Sequence, residues 1–303
     1  MLVHHGGHAL TKHRCTLVEI KQEIPGFDGF IGSWVYRDDI NFVVDVGPAS
    51  SISYLTHALS EMGITRLDYV LLTHIHIDHA GGLGKFLEHF PMARVVCHEK
   101  GIRHLVNPSR LWEGSQIALR EIAESFGPYT PVEEHMCIPH TQAQIDNLRV
   151  IETPGHAPHH ISFSYQGHLF SGEAAGNYYS VGDADYLRPA TPPKFFFDVF
   201  LGSIDRLMAL GEQHICYGHF GDAPDSRQML ERFRSQVFRW KDIIEKQMSG
   251  SPEDLIARCM GRLLQDDPDL KAFELMDADM QNRERFFMRN SVRGYTQFLQ
   301  QTS

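Results

Sequence analysis

Apolar positions along the chain fall into two rhythms. Short unbroken apolar runs bounded by turn residues read as buried strands over residues 16–20, 41–46, 67–72, 94–97, 149–153 and 214–217. Residues 161–165 and 168–170 read as a hairpin through Gln166-Gly167. Between the runs lie segments with an apolar residue at every third or fourth position. Ile52, Leu55, Leu59 and Met62 give a helix one buried face, with Ser50 or Ser51 at its start and Gly63 at its end. Leu83, Phe86, Leu87 and Phe90 do the same for the next helix. Strands alternating with helices predict an α/β fold.

The rhythm is interrupted twice. Residues 99–146 form a long insertion, with a helix expected over 112–126 and a break at Gly127-Pro128-Tyr129-Thr130-Pro131. Such a segment on a rigid scaffold is a natural place for substrate selection. Residues 177–193 read as a loop, and Phe195-Phe196-Phe197 opens a helix running to Leu210. Beyond Asp222 the pattern turns helical throughout. Leu230, Phe233, Val237, Trp240 and Ile244 share one face, and Ser251-Pro252-Glu253-Asp254 reads as a helix start. Arg283, Arg285, Arg289 and Arg293 alternate with apolar residues and read as a solvated helix face. The expected organisation is a flexible N-terminus over 1–14, an α/β body over 15–222 and an all-helical extension over 223–303. His4, His5, His8 and His13 fall in the first of these.

Composition narrows the class. The 303 residues are 42% hydrophobic and carry a formal net charge of −10. That balance argues against a general nucleic-acid binder, whose phosphate contacts need Lys and Arg. The five scattered cysteines show no CxxC pairing, which favours reduced thiols in the cytoplasm. No apolar stretch approaches the ~20 residues of a membrane helix. A small-molecule substrate is the expected partner, and a homodimer contact through the extension is left open.

Nineteen histidines are many, and they are not evenly spread. His74, His76, Asp78 and His79 fall within six positions at the end of an apolar run. Imidazole and carboxylate are common metal ligands. Side chains two apart on a strand or its extension point the same way, so His74 and His76 can chelate one ion together. Asp78 and His79 come after the chain has turned and can serve a neighbouring position. Gly81 and Gly82 permit the tight turn into the next helix. Other strands also end in polar residues: Asp45, Thr153 leading to His156, Glu173, and Gly218-His219. On position alone, His159 and His160 compete with His156, and Asp183 or Asp185 with Glu173.

The stretch from His74 to His79 resembles the HxHxDH signature of metallo-β-lactamase-fold hydrolases, glyoxalase II-like members included. Thr153-Pro154-Gly155-His156 and Gly218-His219 match later segments of that pattern, and the resemblance covers roughly residues 15–222. It implies a four-layer αββα sandwich with two divalent metal ions. Zinc is the default, and iron or manganese the alternatives. By motif position His74, His76 and His156 would hold one ion, and Asp78, His79 and His219 the other. His160 would start the next strand, and Asp45 would hydrogen-bond ligands without touching metal. Where the family commonly has a bridging aspartate this chain has Glu173, one methylene longer.

The resemblance implies a hydrolase of an ester, thioester, lactone or similar small substrate. Its nucleophile would be a metal-bridging hydroxide, with Asp78 assisting as a catalytic residue. An iron oxidoreductase of the sulfur dioxygenase kind and a non-catalytic metal-bound signalling protein are the alternatives. His76 speaks against flavin-linked diiron oxygen reductases, which carry Glu there.

Overall fold

The computed structural model describes residues 14–302. Apart from Arg14, which pairs with Asp38 at 2.9 Å, the expected flexible terminus and its four histidines lie outside the described residues.

Two sheets form the centre. The first sets side by side β1 (Cys15–Glu19), β2 (Gly32–Arg37), β3 (Asn41–Val44), β4 (Tyr69–Leu71), β5 (Arg94–Cys97) and β6 (Cys137–Pro139). Its pairs are antiparallel up to β3 and parallel from β3 onwards. The second uses β7 (Arg149–Glu152), β8 (Ile161–Tyr165), β9 (His168–Gly172), β12 (His214–Tyr217) and β13 (Asp222–Ala223), in the order β13–β12–β9–β8–β7. Between β9 and β12 the chain forms a separate hairpin, β10 (Asn177–Val181) and β11 (Ala184–Arg188).

The period of two explains the layering. Trp34, Tyr36, Phe42, Val44, Leu71 and Val96 point from the first sheet into one apolar layer with Ile161, Phe163, Tyr165, Phe170 and Cys216 of the second. The alternate residues Val35, Val43, Val70 and Val95 face outward, into the core shared with the helices Ile52–Glu61 and Leu83–His89. Leu169, Ile215 and Tyr217 likewise face the side covered by Phe200, Ile204 and Leu207 of the helix Phe197–Met208. Helix, sheet, sheet and helix are thus stacked as an αββα sandwich.

The three long C-terminal helices, Ser226–Gln247, Leu255–Asp266 and Ala278–Thr302, bury their apolar faces in the same outer core. Phe233, Val237, Trp240, Met288 and Tyr295 belong to one cluster with Phe27, Phe30 and Phe200.

Four local expectations fail. Residues 177–188 are a hairpin, not a loop. Gly182, at φ 60°, opens a two-residue turn with Asp183, and the tyrosines flanking it are strand formers. The helix expected over 112–126 is two helices, Ser109–Leu119 and Glu121–Phe126, broken at Arg120 with φ 54°. The helix after Ser251 starts at Leu255, with Asp254 at its N-cap. Arg283 is not solvated. It is 4% exposed, with its guanidinium 4.1 Å from the centre of the Phe30 ring and an N–H donated to Tyr179 Oη at 2.8 Å. Aromatic faces and the adjacent buried carboxylate of Glu284 take the place of water there.

Candidate metal centre

The His74–His79 stretch begins just beyond β4. His74 lies three residues past the end of β4, and His76, in extended conformation, is the N-cap of a single helical turn, Ile77–Ala80, that carries Asp78 and His79. His156 follows β7, Glu173 follows β9 and His219 follows β12. Strand ends from both sheets therefore meet at one rim of the sandwich.

Two donor groups form there. Ligand atoms of His74, His76, His156 and Glu173 all lie within 4.8 Å of one another, as do those of Asp78, His79 and His219. Glu173 joins the groups. Its Oε2 is 2.7 Å from His156 Nε2, 3.3 Å from His74 Nε2 and 3.8 Å from His79 Nε2, while its Oε1 is 3.4 Å from His219 Nε2. His159 belongs to neither group. His160 is committed elsewhere: the Glu173 N–H donates to its Nε2 at 3.0 Å, so its Nδ1–H faces Thr153 Oγ1 at 2.8 Å. Asp185 pairs with Arg232 at 3.2 Å, away from the site.

Hydrogen bonds outside the groups fix the rings. Asp45 accepts from the Thr73 N–H at 2.8 Å and from the Thr73 hydroxyl at 2.7 Å. That hydroxyl therefore accepts from His74 Nδ1 at 3.1 Å, and Asp45 also accepts from His79 Nδ1 at 2.8 Å. His156 Nδ1 donates to the Ala190 carbonyl at 2.9 Å and His219 Nδ1 to the Phe30 carbonyl at 3.2 Å. In this network the Nε2 lone pairs of four imidazoles face inward. Nε2 of His74 and of His79 is buried with no hydrogen-bond partner. His156 Nε2 sits 2.9 Å from His76 Nδ1 and 2.7 Å from a carboxylate oxygen. Lone pairs crowded this closely call for a cation between them, so the residues present fit a metal centre.

Electrostatics agree. Burial and the neighbouring His79 and His76 hold His74 well below its ordinary pKa, and burial and His156 bring His76 down to about 4. At Glu173 burial favours the protonated form, but His156, His219 and His74 outweigh it and hold the carboxyl well below its usual range. Burial also opposes charge on His79, yet Asp78 and Asp45 outweigh it and raise the ring to about 9. A proton or a metal ion at His79 Nε2 answers the same negative field.

Neither Asp45 nor Thr73 needs to touch an ion to matter. Asp45 sits in the left-handed region at φ 57°, which asparagine tolerates as well. Asp45→Asn is therefore expected to fold, while setting an amide N–H2 against one of three donors. Its metal affinity should fall about 10–100-fold. Competition with a chelator measures this, and wild-type affinity would show that the bonds do not orient the rings.

Sequence reasoning overlooked Thr73, whose signal is a hydroxyl at a buried strand end next to the first histidine. It also overlooked Asn177, which faces Glu173.

A third cluster, His98, His140 and Glu152, has a different character. The N–H groups of Lys100 and Glu99 donate to Nδ1 of His98 and His140 at 3.1 and 3.2 Å. Both Nε2 atoms therefore carry hydrogen, and that of His140 donates to Glu152 at 3.0 Å. These rings are packing histidines, stacked at 4.3 Å.

Comparison with known proteins adds the family. The chain is 26% identical over 215 residues to a metallo-beta-lactamase fold-containing protein of Sulfurisphaera tokodaii, covering 68% of this chain and 77% of that one. It is 30% identical over 198 residues to a hydroxyacylglutathione hydrolase of Xanthomonas campestris, covering 65% of this chain and 63% of that one. An archaeal metallo-beta-lactamase superfamily protein from Sulfolobus tokodaii shares the fold, with a TM-score of 0.68 at 22% identity over 93% of this chain and 98% of the other. A metallo-beta-lactamase family protein from Thermus thermophilus does so at 0.63 and 22%, over 95% and 94%. The family model for the metallo-beta-lactamase superfamily matches residues 27–219, more than half of the sequence, and the chain belongs to that superfamily.

Proposed function

We propose that this protein is a metal-dependent hydrolase of a small thioester or related ester. The observation that carries the reading is the pair of donor groups sharing Glu173, with inward imidazole lone pairs left unanswered. His74, His76 and His156 would hold one divalent cation, and Asp78, His79 and His219 the other, with Glu173 between. Bound there, two such cations supply Lewis acidity and bring the pKa of water towards ~7. The nitrogen-rich, thiol-free donor set suits zinc first, and iron or manganese next.

The chain's own residues supply the rest. Asp78 Oδ2 is 3.8 Å from His79 Nε2 and 3.9 Å from His219 Nε2, and its side chain is 16% exposed, the most open of the acidic donors. It is placed to hold a proton taken from water and return it to the leaving group. Asp45, Ala190 and Phe30 keep the rings from turning. Thioesters stand first among substrates because hydroxyacylglutathione hydrolases are among the relatives at 30% identity. We read residues 15–222 as the catalytic body and 223–303 as its helical extension. Five unpaired cysteines favour the cytoplasm, and none of the described helices is long and apolar enough to cross a membrane.

Protein purified without added metal should contain two equivalents and hydrolyse thioesters. One iron per chain with oxygen uptake, or metal without turnover of any ester, thioester or lactone, would overturn the hydrolase reading.

A further inference from the structure

We propose that Asn177 is a positioning residue for the carboxylate of Glu173, and that Arg188 and Glu284 in turn fix Asn177. The inference deepens the metal-centre reading and rests on it.

Asn177 opens β10 and is 1% exposed. Only one orientation of its amide satisfies both neighbours. Nδ2 then donates to Glu173 Oε1 at 3.0 Å, and Oδ1 accepts from Arg188 Nη2 at 3.2 Å. The reverse sets oxygen against carboxylate and N–H2 against guanidinium. Arginine has only donors to offer, so its presence dictates which end of the amide meets Glu173. Arg188 is itself held by Glu284, to which its Nε donates, and Glu284 also accepts from Arg283 Nε at 2.9 Å. The Gly176 N–H closes a turn on the Glu173 carbonyl at 3.1 Å, which returns the chain so that Asn177 faces that side chain.

A glutamate side chain has three torsions to fix, and a loosely held carboxylate would spread over several positions. Asn177 grips Oε1, the oxygen facing His219, while Oε2 lies nearer His156 and His74, at 2.7 and 3.3 Å, than His79 at 3.8 Å. Its influence should therefore fall on the ion held by Asp78, His79 and His219, and much less on the other.

The test is release of zinc from the full-length holoprotein into graded chelator, with ions counted per chain. Asn177→Ala should release one equivalent at about 10–100-fold lower chelator than wild type and keep the other at the wild-type value. Melting of the metal-free form should fall by only a few degrees, the cost of leaving an Arg188 N–H without its acceptor. Asn177→Ser leaves room for water at Arg188 and carries the same test if the alanine variant does not fold. Arg188→Met, which takes away the donor that orients the amide and leaves Glu284 paired with Arg283, should show the same selective loss. Release of both ions at wild-type chelator, or of both together, would overturn the assignment and leave the hydrolase reading intact. A wild-type protein that binds no metal would sink both.

Discussion

His76→Ala is expected to lose at least one equivalent of metal and to lower thioester turnover by at least about a thousandfold. Removing a single transition-state donor commonly costs 10²–10³, and loss of an ion removes more than one. His76 Nδ1 is 2.9 Å from His156 Nε2, and the nearby His159 lies outside both donor groups. The side chain makes no capping bond to its helical turn, so the fold should survive the change. Metal analysis with steady-state kinetics checks both parts. Two equivalents retained with normal turnover would remove His76 from the site.

The second large effect is on stability. Glu284 is fully buried between Arg188 and Arg283, so Glu284→Ala leaves two guanidinium groups without their carboxylate. Breaking a buried pair this way costs about 3–5 kcal/mol. At roughly 2–4 °C per kcal/mol for chains approaching this size, Tm should fall by about 10 °C. Burial alone would raise the Glu284 pKa, but the two arginines outweigh it and bring the group down to about 2. The folded value lies below the unfolded one. Its contribution is therefore fully present above about pH 4.5 and is lost as pH falls towards 2. Chemical denaturation of wild type and variant at pH 7 and pH 3 should show the gap narrowing at the lower pH. A gap that is constant or widens would contradict this.

What the sequence makes legible is what is local. His74 to His79 lie within one strand end and one helical turn, so spacing alone puts them on converging faces. Strand ends carrying Asp45, Glu173 and His219 stand out for a similar reason: a polar residue after an apolar run. The residues that hold the site still were hidden because their partners are remote. Arg188 finds Glu284 96 positions later, Arg283 meets Tyr179 across 104, and His219 leans on Phe30 across 189. An arginine every few residues on a helix reads as solvated until the aromatic faces that cover it are known. The hairpin at 177–188 was masked by its own chemistry. Asp183 and Asp185 are polar enough to suggest a loop, and the tyrosines pack in the outer core, not between the two large sheets.

The rim where the strands end has a mechanical consequence. His74, His76 and His79 follow β4, whereas His156, Glu173 and His219 follow strands of the opposite sheet. An ion captured between them would act as a rivet through both halves of the sandwich, whose other polar ties include the Trp34 indole N–H reaching the Tyr217 carbonyl at 2.9 Å. Filling the site would then add binding free energy to the fold, about 2.7 kcal/mol when free metal stands at a hundred times its dissociation constant. Loading would tie the two sheets together at the rim.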